Sequence, residues 1–154
     1  MLDRSRYHVN MIDLNKRDQE TPPIERLYQA YRACTSQPDA ILASLGLGRA
    51  HHRVLYFLGR HPGITVKALL EKLRVSKQAA HGPLRELVKR GLVAVVPSAQ
   101  DRRVRLLTLT AAGNELEQQL TSPQVRHLER AFEIAGPAAT AGWIEVLEAI
   151  AALD

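Results

Sequence analysis

Only two residues, Arg74 and Val75, separate Leu73 from Ser76, and that spacing constrains the fold more than any other feature of the chain. The segments on either side read as short helices with matching starts. Thr65 can cap the first, with Ile64 stapled onto Leu69; Ser76 can cap the second, with Val75 stapled onto Ala80. Two helices joined so tightly must cross at a steep angle, which is helix-turn-helix geometry. In the second helix Val75, Ala80, Leu84 and Leu87 form an inward face, leaving Ser76, Lys77, Gln78, His81 and Arg85 outward.

The next twenty residues of the chain narrow the fold further. Gly91 ends the second helix as a C′ glycine. Leu92–Val96 is an apolar, β-branched run and reads as a strand, Pro97 to Asp101 as a turn, and Arg102–Leu109 as the returning strand. In the return, Val104, Leu107 and Leu109 alternate, and Leu106 breaks the alternation. Thr110 caps another helix. A helix-turn-helix followed at once by a basic hairpin is the layout of a winged helix. Its tip carries Arg102, Arg103 and Arg105, and arginine suits narrow, electronegative minor grooves. Asp101 repels phosphate, so its expected role is a brace that pairs with Arg103 or Arg105 and holds the tip in shape.

The flanks are helical. Residues 1–20 are polar and aperiodic and read as a flexible or extended arm. Thr21-Pro22-Pro23 starts a helix on which Ile24, Leu27, Tyr28 and Tyr31 recur at helical spacing. Pro38 is expected to restart or bend it, and Gly46 and Gly48 close it. A further helix spans Arg49–Arg60, with Val54, Leu55 and Leu58 inward. At the C-terminal end Ser122-Pro123 and Gly136-Pro137 are start signals dividing the chain into helices near 111–120, 123–135 and 137–153. The last carries Trp143, Ile144, Leu147 and Ile150 among many alanines. It is too apolar for a lone surface helix and is expected to pack against another copy of the chain, the alternative being ordinary packing on the chain's own first helix. The expected domains are the arm 1–20, an N-terminal dimerisation region 21–48, a winged helix-turn-helix 49–113 and C-terminal dimerisation helices 114–154.

Charge points to the partner. Residues 49–105 hold 13 Lys/Arg against 3 Asp/Glu, and the remainder holds 8 against 13. A basic middle between acidic flanks implies that the middle alone faces a polyanion. No apolar run approaches the ~20 residues of a membrane span. The N-terminus lacks the apolar core of a signal peptide, and a single cysteine, Cys34, cannot form an intrachain disulfide. A cytoplasmic protein with no membrane partner is the expectation. There is no phosphate-binding loop, dinucleotide fingerprint or pairing of nucleophile, base and oxyanion donor, so neither an enzyme nor a cofactor is expected.

The run Asp101-Arg102-Arg103-Val104-Arg105-Leu106-Leu107-Thr108-Leu109-Thr110-Ala111-Ala112-Gly113 resembles the wing signature of the MarR family of dimeric winged-helix regulators. Val75-Ser76-Lys77 and Leu87-Val88-Lys89-Arg90-Gly91-Leu92-Val93 resemble that family's recognition helix and first wing strand. The likeness covers about residues 49–113. It implies a mainly α fold: a winged helix-turn-helix with a two-stranded β-wing, and a dimer built from N- and C-terminal helices. It also implies a pseudo-palindromic operator and a small effector held between the dimerisation and DNA-binding parts. Arg103 is then the residue expected to act at the wing, with Asp101 supporting it. The chain departs from the family at Gly82-Pro83, inside the recognition helix, where a kink or split is expected. The arm before Thr21 is a second departure.

Together these features describe a sequence-specific regulator of transcription, a repressor, that binds double-stranded DNA as a homodimer. The major groove would be read around Gln78 and His81, with Arg85 a turn later; Ser76 and Lys77 suit phosphate. The alternative is a winged-helix protein-interaction module without regulatory DNA binding. Tyr28, Tyr31, His52 and Tyr56 are candidates to line a pocket for a small aromatic effector, although aromatics at this spacing also build cores. Cys34 is a candidate redox switch, which would require a lowered pKa and exposure. His51, His52 and His61 have no metal-site spacing, and no metal is expected.

Overall fold

A computed structural model describes residues 22–153; the arm and the Thr21 cap lie outside the described residues. The chain divides into two compact units, Met1–Ser36 and Gln37–Asp154. The described part of the first is the leading stretch of α1 (Pro23–Ser44), along which Ile24, Leu27, Tyr28 and Tyr31 are exposed. Pro38 neither restarts nor breaks this helix, which is continuous across it; its side chain is fully buried, which offsets the lost backbone bond.

The second unit opens with the end of α1. Gly46 takes a left-handed φ of 64°, and the Leu47 N–H donates to the Leu42 carbonyl at 2.8 Å, closing the helix in a Schellman motif. Then come α2 (Arg49–Arg60), β1 (Ile64–Thr65), α3 (Val66–Leu73), α4 (Lys77–Lys89), β2 (Val93–Pro97), β3 (Arg105–Leu109), α5 (Ala111–Ala135) and α6 (Pro137–Ala152). The sheet has three antiparallel strands in the order β1-β3-β2, one more than the expected two-stranded wing. The added strand is Ile64–Thr65, which pairs with Leu107 and Leu106. Thr65 still caps α3, accepting from the Ala68 N–H at 3.2 Å. Two residues thus serve as strand and helix start at once, a coupling that local pattern cannot show.

The core lies where α2, α3, α4, the sheet and α5 meet. Leu55, Leu58, Leu69, Leu87 and Leu120 are wholly buried there, with Val54, Leu107 and Val93 almost so. Val75, in the turn before α4, and Leu84 on α4 pack against it. Burying such side chains contributes about 1.5–3 kcal/mol each. The wing is rooted in this core: Val93 pairs with Leu109 and Val95 with Leu107, and the hairpin runs outward to Pro97 opposite Arg105.

A second expected break is also absent. Ser122-Pro123 does not start a new helix, because α5 runs unbroken from Ala111 to Ala135. Leu116, Leu120 and Pro123 are all buried on that helix, so burial compensates for one missing hydrogen bond. Gly136 does end α5, with φ 84°, and Pro137 opens α6. No residue of α6 is buried. It meets α5 through an edge-on contact of Trp143 with Phe132 at 5.2 Å, and leaves Ile144, Val146, Leu147 and Ile150 exposed.

Candidate nucleic-acid interface

The reading helix α4 begins as its sequence dictates. Ser76 is the N-cap, in extended conformation, and its Oγ accepts the Ala79 N–H at 3.2 Å. The preceding turn is closed by Arg74 in the left-handed region, φ 50°, the one non-glycine residue with positive φ among those described. That conformation costs a non-glycine residue about 1 kcal/mol. From α2, Arg53 Nη2 donates to the Leu73 carbonyl at 3.4 Å, just ahead of the turn.

Lys77, Gln78, His81 and Arg85 are all exposed. At ~100° per residue they occupy one arc of roughly 100° on α4. Ala80 and Leu87 on the opposite side are buried. The sequence-derived faces are therefore the faces of the folded helix. Pro83 does not split α4, which is continuous from Lys77 to Lys89. Its ring lies away from the exposed arc, half-buried beside a hollow of about 220 Å³ lined by Ala50, Arg53 and Val54 of α2. The lost bond falls on the Ala79 carbonyl, at an exposed residue that solvent can satisfy.

The C-terminal end of α4 is equally defined. Arg90 is its C-cap, Gly91 has φ 69°, and the Leu92 N–H donates to the Leu87 carbonyl at 2.9 Å. Arg90 Nε donates to Glu86 Oε1 at 2.7 Å, and that bond holds the Glu86 carboxyl below its ordinary pKa. Arg90 Nη1 reaches further, to the Leu45 carbonyl at 2.6 Å. Arg53, Arg74 and Arg90 were not singled out by sequence, because a basic residue in a basic segment gives no local sign that a carbonyl will meet it.

At the wing, Arg102, Arg103 and Arg105 are exposed. Asp101 does brace the tip, though not through an arginine side chain. Its Oδ1 accepts the Arg103 backbone N–H at 2.9 Å, and its carbonyl accepts the Val104 N–H at 2.9 Å. Ser98, buried, closes the loop by donating its N–H to the Val104 carbonyl at 2.9 Å. The short Asp side chain fits an Asx turn, in which the carboxylate meets the amide two residues on. The arginine side chains remain directed by their own chain positions rather than by Asp101. The expected return strand is also shorter, Arg105–Leu109, because residues 98–104 are occupied by this tip.

The other candidates fall elsewhere. His52 is buried, its Nε2 3.2 Å from Thr121 Oγ1 on α5. Thr121 donates to Glu117 Oε1 at 2.7 Å, and Glu117 pairs with Arg60 at 3.0 Å. The Arg60 guanidinium lies over the Tyr56 ring, 3.6 Å from its centroid. Burial, the largest influence, pushes the His52 pKa down against the pull of Glu117 and Asp39. His52 is thus a core histidine in a polar relay between α2 and α5. Beside the relay lies a hollow of about 250 Å³ bordered by Arg60, Glu117, Thr121 and Arg126. Tyr28 and Tyr31 are exposed on the leading stretch of α1. Burial pushes the Cys34 thiol pKa up, the direction opposite to that of a reactive thiolate. Among the described residues no three His, Cys, Asp or Glu side chains gather as a metal site, and no helix is long and apolar enough to cross a membrane.

Comparison with known proteins agrees with this geometry. The MarR family profile matches residues 45–104. The chain is 43% identical to the HTH-type transcriptional regulator PetP of Rhodobacter capsulatus over 127 residues, covering 82% of this chain and 76% of PetP. Among solved structures it resembles the transcriptional repressor CouR bound to a 23-mer DNA duplex, with TM-score 0.65 and 25% identity over 84% of this chain and 92% of that one. It also shares the fold of NadR in complex with 4-hydroxyphenylacetate, with TM-score 0.66 and 22% identity over 89% of this chain and 98% of that one. The three-stranded winged helix, the capped two-residue turn and the PetP relationship lead to one assignment: the chain belongs to the MarR family of winged helix-turn-helix transcription regulators.

Proposed function

We propose that the chain is a repressor that binds a pseudo-palindromic operator as a homodimer, in the cytoplasm where its DNA lies. The observation that carries this reading is the exposed arc of Lys77, Gln78, His81 and Arg85 on a helix whose opposite side is locked in the core. Gln78 suits a bidentate pair with adenine and Arg85 one with guanine, or a phosphate contact. Ser76 and Lys77 at the helix start take phosphate, and Arg102 and Arg103 enter the minor groove or bind its edge. Residues 49–113 act as the DNA-binding domain, and 21–48 with 114–154 as the dimerisation region. The exposed apolar face of α6 supports the dimer.

A small-molecule effector releases the DNA. The NadR complex with 4-hydroxyphenylacetate gives the chemistry, an aromatic acid. The hollow bordered by Arg60, Glu117 and Arg126 offers a carboxylate the exposed guanidinium of Arg126, Arg60 being paired with Glu117.

The test is a salt titration of DNA affinity with a duplex enriched from a random-sequence library by the wild-type chain. Arg103→Ala weakens binding by about 1–3 kcal/mol, and Lys77→Ala lowers the salt slope by about one unit. Unchanged affinity and slope in both variants would overturn the interface. Absence of any salt-sensitive DNA binding would favour a protein-interaction module.

A further inference from the structure

We propose that Arg90 is the positioning residue that aims the reading helix, acting through α4 and not on DNA. The inference rests on the proposed DNA-binding function. Arg90 lies within the basic segment, yet its guanidinium is committed to the protein. Nε donates to Glu86 Oε1 at 2.7 Å and Nη1 to the Leu45 carbonyl at 2.6 Å. The acceptor is specific. The closing turn of α1 already takes up the Leu42 and Ala43 carbonyls, through the N–H groups of Leu47 and Gly46. The Leu45 carbonyl lies just beyond, at the negative end of the helix, where a cation is favoured. Gly46, with its left-handed φ, turns the chain there, and the Arg90 guanidinium lies against it. The C-terminal end of α4 is thus pinned to the C-terminal end of α1.

The consequence is a lever. Thirteen helical residues span about 20 Å, so a tilt of about 5° at Arg90 carries the Ser76 end about 2 Å. Base-edge hydrogen bonds do not tolerate a displacement of that size, whereas contact with phosphate in general does. The Arg53 contact, 3.4 Å long, reaches the Leu73 carbonyl at the end of α3 and does not hold α4 itself; buried Ala80 and Leu87 seat α4 on the core, and Arg90 fixes its C-terminal end.

The experiment compares the full-length chain with Arg90→Ala, Arg90→Lys and Glu86→Gln. Each is titrated onto the duplex enriched by the wild-type chain and onto a scrambled duplex of equal length, at several salt concentrations. Lysine keeps the charge but cannot make two bonds in the fork geometry of arginine. Both Arg90 variants are expected to lose about tenfold in affinity for the enriched duplex, the loss of one well-made base contact. Affinity for the scrambled duplex and the salt slope stay at wild-type values. Glu86→Gln, which keeps the fold least disturbed, shifts the same ratio in the same direction by less. Full affinity for Arg90→Lys, with a slope lower by about one in Arg90→Ala, would make Arg90 a phosphate contact and overturn the proposal. Failure of the wild-type chain to enrich any duplex would remove the DNA-binding function itself; enrichment with all three variants unchanged would remove the latch alone.

Discussion

Gly113 packs directly on the Leu92 carbonyl: a Cβ at position 113 would lie 2.0 Å from that oxygen. The contact joins the start of α5 to the root of the wing. The same carbonyl accepts the Thr110 N–H at 3.1 Å, and the Thr110 hydroxyl donates to the Gly91 carbonyl at 2.7 Å. The wing therefore leaves the core at a fixed angle to α5, and glycine is required by space rather than by an unusual φ. Gly113→Ala is expected to destabilise the fold by about 1–3 kcal/mol, as overpacking does. Urea unfolding followed by circular dichroism checks it; an unchanged midpoint would mean that the strand and helix can separate freely.

At the wing tip the Asp101 carboxylate accepts a backbone amide. Asp101→Asn retains an acceptor oxygen and should leave DNA affinity within about twofold, allowing for a weaker uncharged bond. Asp101→Ala removes the acceptor and should weaken binding although it deletes a negative charge near DNA. Stronger binding by Asp101→Ala would show that charge repulsion outweighs the shape of the tip.

His52 gives stability a dependence on pH. Its folded pKa lies below the ordinary 6.5 because burial disfavours the cation. The unfolded chain therefore binds the proton more readily, and stability falls as pH drops below about 6.5 toward the folded value. Above 6.5 the contribution is complete. His52→Gln keeps a donor for Thr121 and removes the titration. The difference in unfolding midpoint between pH 7.5 and pH 5 should be smaller in this variant than in the wild-type chain; equal differences would exclude His52 as a source.

The exposed residues of α6 make a direct test of assembly. Ile144→Glu with Leu147→Glu places two charges on a face where no residue is buried within one chain. The expected result is a folded monomer in sedimentation velocity, with helical content unchanged and operator affinity reduced. A variant that still sediments as a dimer would move the interface elsewhere.

Caps and faces were legible in the sequence because they are local. Thr65, Ser76 and Thr110 each accept the N–H three residues on, and Gly91 closes α4 with positive φ. The inward and outward sides of α4 follow from its period, and the wing from a basic turn between apolar runs. The restart at Pro38, the split at Pro83 and the helix start at Pro123 are absent for a physical reason. Pro38, Pro83 and Pro123 each lose a backbone bond, which local reasoning counts in full, whereas burial of Pro38 and of the stripe around Pro123 offsets it. Only tertiary structure pairs Ile64 with Leu107, sets Gly113 on Leu92 and buries His52 against Thr121. It alone turns Arg90 from a charge beside DNA into a donor for the Leu45 carbonyl. These contacts join residues distant in the chain, and their energies depend on what packing brings within reach.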